Sequence, residues 1–235
     1  MKIKVAATQM SCDWEIENNI KKSIHLIEKA AEQGAHIVLL QELFQTPYFC
    51  IQYDEEIFKL AQPFENNTLI NKMSEVAKKH KVVLPISFFE KDNNAYFNSI
   101  AVIDADGEIL GKYRKSHIPD GAGYLEKYYF NPGDTGFKVW NTTYGKIGIG
   151  ICWDQWFPEA ARLTAMAGAE VIFYPTAIGW LREESNEKRN AQLEAWRIVH
   201  QSHAVANGIY VAAANRVGRE SEIEFWGHSF VAGPS

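Results

Sequence analysis

Cysteine is scarce in this chain of 235 residues, which contains three. Cys12, Cys50 and Cys152 form no CxxC pair and no spacing typical of metal ligands. The scarcity argues against a disulfide framework and indicates a reducing compartment, so we expect a cytoplasmic protein in which Cys12 and Cys50 are structural. His200 and His203 lack a third ligand at a suitable spacing, and we interpret them as packing or interface residues.

Long apolar runs, low-complexity tracts and blocks of like charge are also missing. No run approaches the length of a membrane span, and the opening MKIKVAATQM lacks the apolar core of a signal peptide, so no membrane partner is expected. The formal net charge of −5 argues against nucleic acid and is compatible with a cationic ligand. The composition allows one large core or at most two modest ones, and no linker divides the chain. A single domain over residues 1–235 is therefore expected.

Alternating apolar segments predict an α/β fold. Strands are predicted over residues 3–10 and 37–40, on either side of a helix whose apolar positions recur from Ile16 to Ala31 with a period of about 3.6. Such a unit implies a parallel strand pair with a right-handed crossover. Further helices are predicted over residues 68–80, from 158 onward and over 188–206, and further strands over 82–89, 97–103, 109–113, 171–174 and 210–214. Asp106–Gly107 indicates a hairpin turn, and residues 180–186 a polar loop.

The stretch KIGIGICWDQWFPE, residues 146–159, predicts a buried strand that ends at Cys152 and a helix that opens at Pro158. A thiol at such a turn is held rigidly, and backbone N–H groups beside it are free to bind an anion. Taken alone, the pattern favours a buried, inert cysteine. The interpretation changes only when two other stretches are considered with it.

Those two stretches place Glu42 (QELFQTPY) and Lys115 (YRKSHIP) after predicted strands. Taken alone, Glu42 fits a solvated loop carboxylate and Lys115 a surface ammonium. Together with Cys152 they supply a base for the thiol, the nucleophile itself and a cation for the oxyanion. This is the set that thiol-dependent amide hydrolysis requires, and the ammonium also favours the thiolate.

The three stretches resemble the catalytic signatures of the nitrilase superfamily of carbon–nitrogen hydrolases. They match at VLLQELF, GKYRKSHIP and GICWDQWFPE, in the family's order, and the resemblance extends from the opening VAATQM to the late VAAANRVG. It implies a four-layer αββα sandwich with the active site at one end of the two sheets. Family members usually continue some tens of residues further, so a C-terminal part is expected to be missing.

The resemblance also implies roles for individual residues. It assigns the acid/base role to Glu42 and the nucleophile to Cys152. Lys115 and the backbone N–H of Trp153 would then hold the oxyanion.

Two further residues are implied to support this trio. Glu126 would position the lysine and the substrate, and His117 would shape the pocket. The resemblance implies no metal and no organic cofactor, and a homo-oligomer built from dimers.

Within the family, the likeness is to enzymes that cleave N-carbamoylputrescine to putrescine, carbon dioxide and ammonia in polyamine biosynthesis. Relatives that act on carbamoyl amino acids resemble one another in placing arginines where this chain has Gln155 and Trp156, so a small carbamoyl-amine substrate is expected. The ammonium of such a substrate would bind best beside a carboxylate and the faces of aromatic rings. Candidates are Tyr48, Asp154, Trp180, Glu183 and Glu184.

Other interpretations stay open at this point. Glu183 and Glu184 lie in a charge-rich loop and, taken alone, are better explained as solvated charges. The enzyme could be an omega-amidase, a β-ureidopropionase-like enzyme or an aliphatic amidase. A truncated, inactive scaffold chain is the non-enzymatic alternative.

Overall fold

The computed structural model describes residues 2–235, and its first half is built on one layer of strands. These strands are β1 (Val5–Ala7), β2 (Ile37–Leu39), β3 (Leu84–Asp92), β4 (Ala95–Ile103) and β5 (Ile109–Arg114). β1 and β2 pair in parallel, and β3, β4 and β5 form an antiparallel meander. A parallel bridge between Ile37 and Val83 joins β2 to the segment that leads into β3, so the strands form one layer.

The second half supplies the other layer. Its strands are β6 (Val139–Thr142), β7 (Gly145–Ile149), β8 (Val171–Thr176), β9 (Gly179–Leu181), β10 (Tyr210–Asn215), β11 (Val217–Glu220), β12 (Ile223–Trp226) and β13 (Phe230–Ala232). Five of them form a sheet in the order β13-β10-β8-β7-β6, in which β7, β8 and β10 run parallel. β11, β12 and β9 form a small separate sheet.

Helices cover the outer face of each large sheet. They are α1 (Ile16–Glu32), α2 (Thr68–His80), α4 (Pro158–Met166) and α5 (Asn186–Asn207), whereas the short α3 (Glu126–Tyr129) lies in the loop after β5 and covers neither sheet. Successive strand residues point to opposite faces: in β4, Ile103 packs with α1 and α2, whereas Val102 packs with β7, β8 and β10. α4 and α5 bury their apolar side chains against the far side of β8 and β10. The predicted αββα sandwich is confirmed.

Local signals explain why several element boundaries were predictable. α2 begins at Thr68 because the side chain of Asn67 accepts hydrogen bonds from two backbone N–H groups of its first turn. α5 begins two residues earlier than predicted, after Ser185 caps it, and Gly208 ends it at φ +64°. The hairpin at Asp106–Gly107 is confirmed.

Two boundaries were predicted wrongly. The first strand pairs over Val5–Ala7 only, because its partner β2 is three residues long. The stretch predicted as a polar loop begins inside β9, where Trp180 pairs with Glu224 of β12. A single-sequence pattern cannot show such pairing, because the partner lies more than 40 residues away.

His200 and His203 pack inside the second half of the molecule, as expected. His200 Nδ1 lies 2.7 Å from the backbone oxygen of Trp196, and burial lowers the pKa of His200 to about 4. His203 Nε2 donates to the backbone oxygen of Gln155 over 2.8 Å. Within residues 2–235, no helix is both long and apolar enough to cross a membrane.

Candidate active site

Cys152 lies at a sharp turn directly after β7, where the chain enters a 3-10 helix (Cys152–Trp156). Its backbone adopts the left-handed region at φ +41°, a conformation that costs a non-glycine residue about 1–3 kcal/mol and persists where the surroundings fix it. Asp154 fixes this turn, since its Oδ2 accepts the N–H of Ile151 over 2.9 Å. The thiol is 4% exposed and lies 3.7 Å from the backbone oxygen of Ala177.

Glu42, Lys115 and Glu126 form a fully buried chain of charges. Lys115 Nζ donates to Glu42 Oε1 over 2.8 Å and to the two carboxylate oxygens of Glu126 over 2.9 and 2.7 Å. The lysine therefore bridges two carboxylates: Glu42, which follows the end of β2, and Glu126, which begins α3. The other oxygen of Glu42, Oε2, is buried and makes no hydrogen bond with the described residues.

The electrostatics of this cluster keep the cysteine protonated at rest. Burial raises the pKa of the Cys152 thiol well above its usual value, and the carboxylate of Glu42 adds to this effect, while Lys115 opposes it. Burial alone would lower the pKa of Lys115, but Glu126 and Glu42 raise it well above its usual value. The ammonium does favour the thiolate, as expected, but burial and the carboxylate of Glu42 outweigh its effect in the resting site.

Glu126 is the second carboxylate that holds the lysine. Burial raises the pKa of Glu126 to about 7, although Lys115 opposes the rise. Tyr48 also opposes this rise in the pKa of Glu126, since its hydroxyl donates to Glu126 Oε1 over 2.5 Å. Tyr48, expected as a substrate contact, therefore contacts the supporting glutamate.

The backbone around Lys115 is held by the long loop that follows it. Gly133 donates its N–H to the backbone oxygen of Lys115 over 2.7 Å. A Cβ atom at Gly133 would lie 2.1 Å from the backbone oxygen of Arg114, so only glycine fits this approach. The loop that follows Lys115 is therefore packed against the backbone of the lysine.

His117 and Asp154 connect the lysine loop to the cysteine turn. Asp154 Oδ1 accepts the backbone N–H of His117 over 3.0 Å and lies 2.7 Å from its Nδ1, while Oδ2 accepts the hydroxyl of Tyr113 over 2.7 Å. The ring of His117 stacks on Phe157 with centroids 3.5 Å apart. Asp154 is fully buried behind the turn, where its oxygens are occupied, and it does not line the cavity in front of the thiol.

That cavity has a volume of about 350 Å³ and mostly apolar walls. It is lined by Pro119, Tyr124, Cys152, Trp153, Trp156, Ile178, Gly179, Leu181, Glu184, Gln192, Ala195 and Trp226. The backbone N–H of Trp153 belongs to the first turn of the 3-10 helix, where N–H groups have no partner within the helix. A buried thiol, a backbone N–H group without a partner in its helix and an aromatic chamber thus meet at one place.

Glu184 is the one charged side chain among the described residues that line this cavity. Its carboxylate accepts hydrogen bonds from Gln192 Nε2 over 2.9 Å and from the N–H of Leu181 over 3.1 Å, and it pairs with Lys188 Nζ at 2.8 Å. Burial acts to raise the pKa of Glu184, but the hydrogen bonds from Lys188 and Gln192 outweigh it. The net pKa is lowered, so the group is ionised at neutral pH.

The other two candidates of this region lie outside the cavity lining. Glu183 is exposed. Trp180 packs against Trp226 with ring centroids 5.3 Å apart and donates its Nε1–H to the backbone oxygen of Arg189 over 3.0 Å.

Sequence reasoning missed two residues that contact Glu42. Asn98 Nδ2 donates to Glu42 Oε1 over 2.7 Å, and Arg216 donates to the backbone oxygen of Glu42 over 2.9 Å. A polar residue inside the apolar strand β4 was the available signal for Asn98, and an arginine at the end of β10 was the signal for Arg216. Within residues 2–235, no group of three or more His, Cys, Asp or Glu side chains is arranged to hold a metal ion.

Comparison with protein families gives one match over nearly the whole chain. The model of the carbon-nitrogen hydrolase family matches residues 4–235. The crystal structure of a carbon-nitrogen hydrolase from Helicobacter pylori G27 superimposes with a TM-score of 0.93 at 42% identity, covering 99% of this chain and 82% of that chain.

Two curated relatives carry named activities. An N-carbamoylputrescine amidase of Solanum lycopersicum is 52% identical over 241 residues, which cover 99% of this chain and 79% of that protein. A citrullinase of Francisella tularensis is 48% identical over 233 residues, covering 97% of this chain and 80% of that protein.

Proposed function

This chain belongs to the carbon-nitrogen hydrolase family, and we propose that it hydrolyses N-carbamoylputrescine to putrescine, carbon dioxide and ammonia, with Cys152 as nucleophile. It is a hydrolase of amide carbon–nitrogen bonds. The observation that carries the proposal is the buried Glu42–Lys115–Glu126 cluster, whose charges act on a thiol that opens into an aromatic cavity. The similarity to amidases of this name supports the choice of substrate.

The first half of the reaction forms a carbamoyl-thioester. Glu42 takes the proton of Cys152 as the sulfur attacks the carbamoyl carbon, so the buried cluster never carries an additional negative charge. The oxyanion is held by the ammonium of Lys115 and the N–H of Trp153. Glu42 then gives the proton to the departing nitrogen, and ammonia leaves as the C–N bond breaks.

The second half regenerates the thiol. Glu42 accepts a proton from water, whose oxygen attacks the thioester carbon. The C–S bond breaks, the proton returns to Cys152, and the carbamic acid that is released decomposes to carbon dioxide and putrescine. In this scheme Glu126 and Tyr48 keep Lys115 charged and in place through both halves.

The far end of the substrate is proposed to bind at Glu184. N-carbamoylputrescine carries one primary ammonium at neutral pH, and an ionised carboxylate beside aromatic rings attracts such a group. Glu184 supplies the negative charge of the cavity lining, and Trp153 and Trp226 supply aromatic faces. Since the lining holds no arginine or lysine within the described residues, it offers no cationic partner for a substrate carboxylate.

Citrulline is the second candidate, because a curated relative 48% identical to this chain is named citrullinase. Citrulline has the same ureido group and chain length as N-carbamoylputrescine and adds an α-carboxylate next to the amine. Glu184 would attract its ammonium and repel its carboxylate. The two substrates therefore test the charge preference of the cavity directly.

A substrate panel is the experiment that tests the proposed function. Ammonia release is measured on N-carbamoylputrescine, citrulline, N-carbamoyl-β-alanine and glutaramate. We expect kcat/KM for N-carbamoylputrescine to exceed that for citrulline by about tenfold or more, since an unpaired carboxylate costs at least about 1.4 kcal/mol. A preference for glutaramate or N-carbamoyl-β-alanine would contradict the proposal, and no turnover of any of the four would support an inactive scaffold.

Replacement of Glu184 by glutamine tests the ammonium site. Losing the charge-assisted contact should lower kcat/KM for N-carbamoylputrescine about 10- to 100-fold, mainly through KM. Hydrolysis of butylurea, which lacks the ammonium, should change little. Glu183→Gln is the matched control, because this neighbouring glutamate is exposed and outside the cavity lining. Equal losses on both substrates would show that Glu184 supports the cavity wall instead of binding the amine.

We further propose one domain over residues 1–235 that assembles as a cytoplasmic homo-oligomer. The outer helices α4 and α5 leave large apolar side chains exposed, among them Met166 at 76% and Val205 at 62%, and such groups are typical of subunit contacts. All three cysteines are free, which suits a reducing compartment. Light scattering at several protein concentrations measures the assembly.

A further inference from the structure

Arg216 joins the end of β10 to the loop that carries Glu42, although the two segments are more than 170 residues apart. The guanidinium is fully buried. Its Nη2 donates to the backbone oxygens of Glu42 and Leu43 over 2.9 and 3.0 Å, and its Nη1 donates to the backbone oxygen of Thr46 over 3.2 Å. One side chain therefore holds three carbonyls of a single turn.

Glu220 completes this arrangement from β11. Its carboxylate accepts from Arg216 Nη1 over 2.8 and 3.1 Å, and it also accepts the backbone N–H of Tyr48. Tyr48 is the residue whose hydroxyl contacts Glu126. The buried pair Arg216–Glu220 thus contacts both ends of the segment 42–48.

The turn needs such support because its backbone is unfavourable. Leu43 has φ +48°, a left-handed conformation that costs a leucine about 1–2 kcal/mol. The hydroxyl of Ser87 accepts the N–H of Leu43 over 2.8 Å, while Arg216 takes the carbonyls on either side of that N–H. Without the guanidinium, these carbonyls would lose their donors and the turn could relax toward an ordinary conformation.

We propose that Arg216, held by Glu220, is a positioning residue that sets the Glu42 carboxylate against the Cys152 thiol. Arg216 does not touch the cavity in front of the thiol; it acts through the backbone of the turn. The inference rests on the proposed role of Glu42 as the base. A shift of about 1 Å in a reacting group can cost on the order of 10²-fold in rate, so this support has a measurable consequence.

The test uses the double variant Arg216→Gln/Glu220→Gln, because removing the arginine alone would leave a buried, unpaired carboxylate and endanger folding. We expect kcat for N-carbamoylputrescine to fall on the order of 10²-fold while KM stays within about threefold, since the cavity walls are untouched. Arg216→Lys retains the charge but cannot reach all three carbonyls, so its kcat should lie between that of the wild type and that of the double variant. Arg219→Gln is the control: this exposed arginine lies beside Glu220 in β11, and its replacement should match the wild type.

A second readout separates positioning from general loosening. Glu42, Lys115 and Glu126 are the charged groups that act on Cys152, and the charge of Glu42 raises its pKa. If the turn moves Glu42 away, alkylation of Cys152 by iodoacetamide, followed by mass spectrometry from pH 6 to 10, should reach half its maximal rate at lower pH. Glu42→Gln, which removes that charge in place, gives the reference shift.

A folded double variant with wild-type kcat would overturn the proposal, and so would a fall in kcat with an unshifted alkylation profile. The alkylation experiment does not need turnover. If the wild type fails to hydrolyse N-carbamoylputrescine, the proposed substrate is wrong, but the pH profile still reports whether Arg216 holds Glu42 beside the thiol. The two failures are therefore distinguishable.

Discussion

Replacement of Cys152 by serine is expected to lower kcat for ammonia release by on the order of 10⁴- to 10⁶-fold, the range found when an enzyme loses its nucleophile. A carboxylate can accept a proton from a thiol during attack, but it is far too weak a base to deprotonate an alcohol. The serine hydroxyl keeps the size and the hydrogen-bonding capacity needed at the turn, so the urea midpoint should change little. Single-turnover ammonia release measures the chemistry.

Cys12→Ser is the matched control for this variant. Cys12 is half-buried, and its thiol donates to the backbone oxygen of Phe44 over 3.2 Å, a bond that a hydroxyl can replace. It should retain activity within about twofold, because it contacts no group of the proposed reaction. A Cys152→Ser variant with a near-normal rate would overturn the assignment of the nucleophile, whatever the behaviour of the control.

Replacement of Lys115 by methionine is expected to damage both catalysis and folding. The rate should fall about 10²- to 10³-fold or more because the oxyanion loses its cation. Stability at pH 7.5 should fall by about 3–5 kcal/mol, since two fully buried carboxylates, Glu42 and Glu126, are left without a countercharge. Urea denaturation followed by circular dichroism measures the second effect.

The pH dependence of this loss has a defined sign. Burial raises the pKa of Glu126 to about 7 even with Lys115 opposing the rise. Without the ammonium this pKa lies still further above its unfolded value, so the folded protein binds more protons than the unfolded chain. The stability deficit of Lys115→Met should therefore shrink as the pH falls from 7.5 to 5.5. A deficit that is independent of pH would show that the methionine simply packs poorly.

Glu42→Gln isolates catalysis from stability at the same cluster. Lys115 keeps both bonds to Glu126, at 2.9 and 2.7 Å, and the glutamine oxygen can still accept from Asn98. Stability should therefore stay within about 1 kcal/mol of the wild type, while the rate falls on the order of 10²- to 10⁴-fold with the loss of the base. Loss of stability in both variants alike would argue that the cluster is structural.

The sequence by itself determined the fold class and the identity of the central residues. The strand–helix–strand opening, the capping residue Asn67 and the hairpin at Asp106–Gly107 are local signals, because turn and cap conformations depend on neighbouring residues. Glu42, Lys115 and Cys152 could be named because each follows a predictable strand, and the likeness to a known family joined them into one set.

Only the tertiary structure decided what surrounds those residues. That the thiol is neutral at rest follows from burial and from the sum of two carboxylates and one ammonium, and burial is not visible in a local pattern. Asp154 and Glu184 look alike in the sequence, yet the first is enclosed by hydrogen bonds behind the turn and the second stands at the cavity wall. Arg216 meets Glu42 across more than 170 positions, and a contact of that range exists only once the two sheets have packed together.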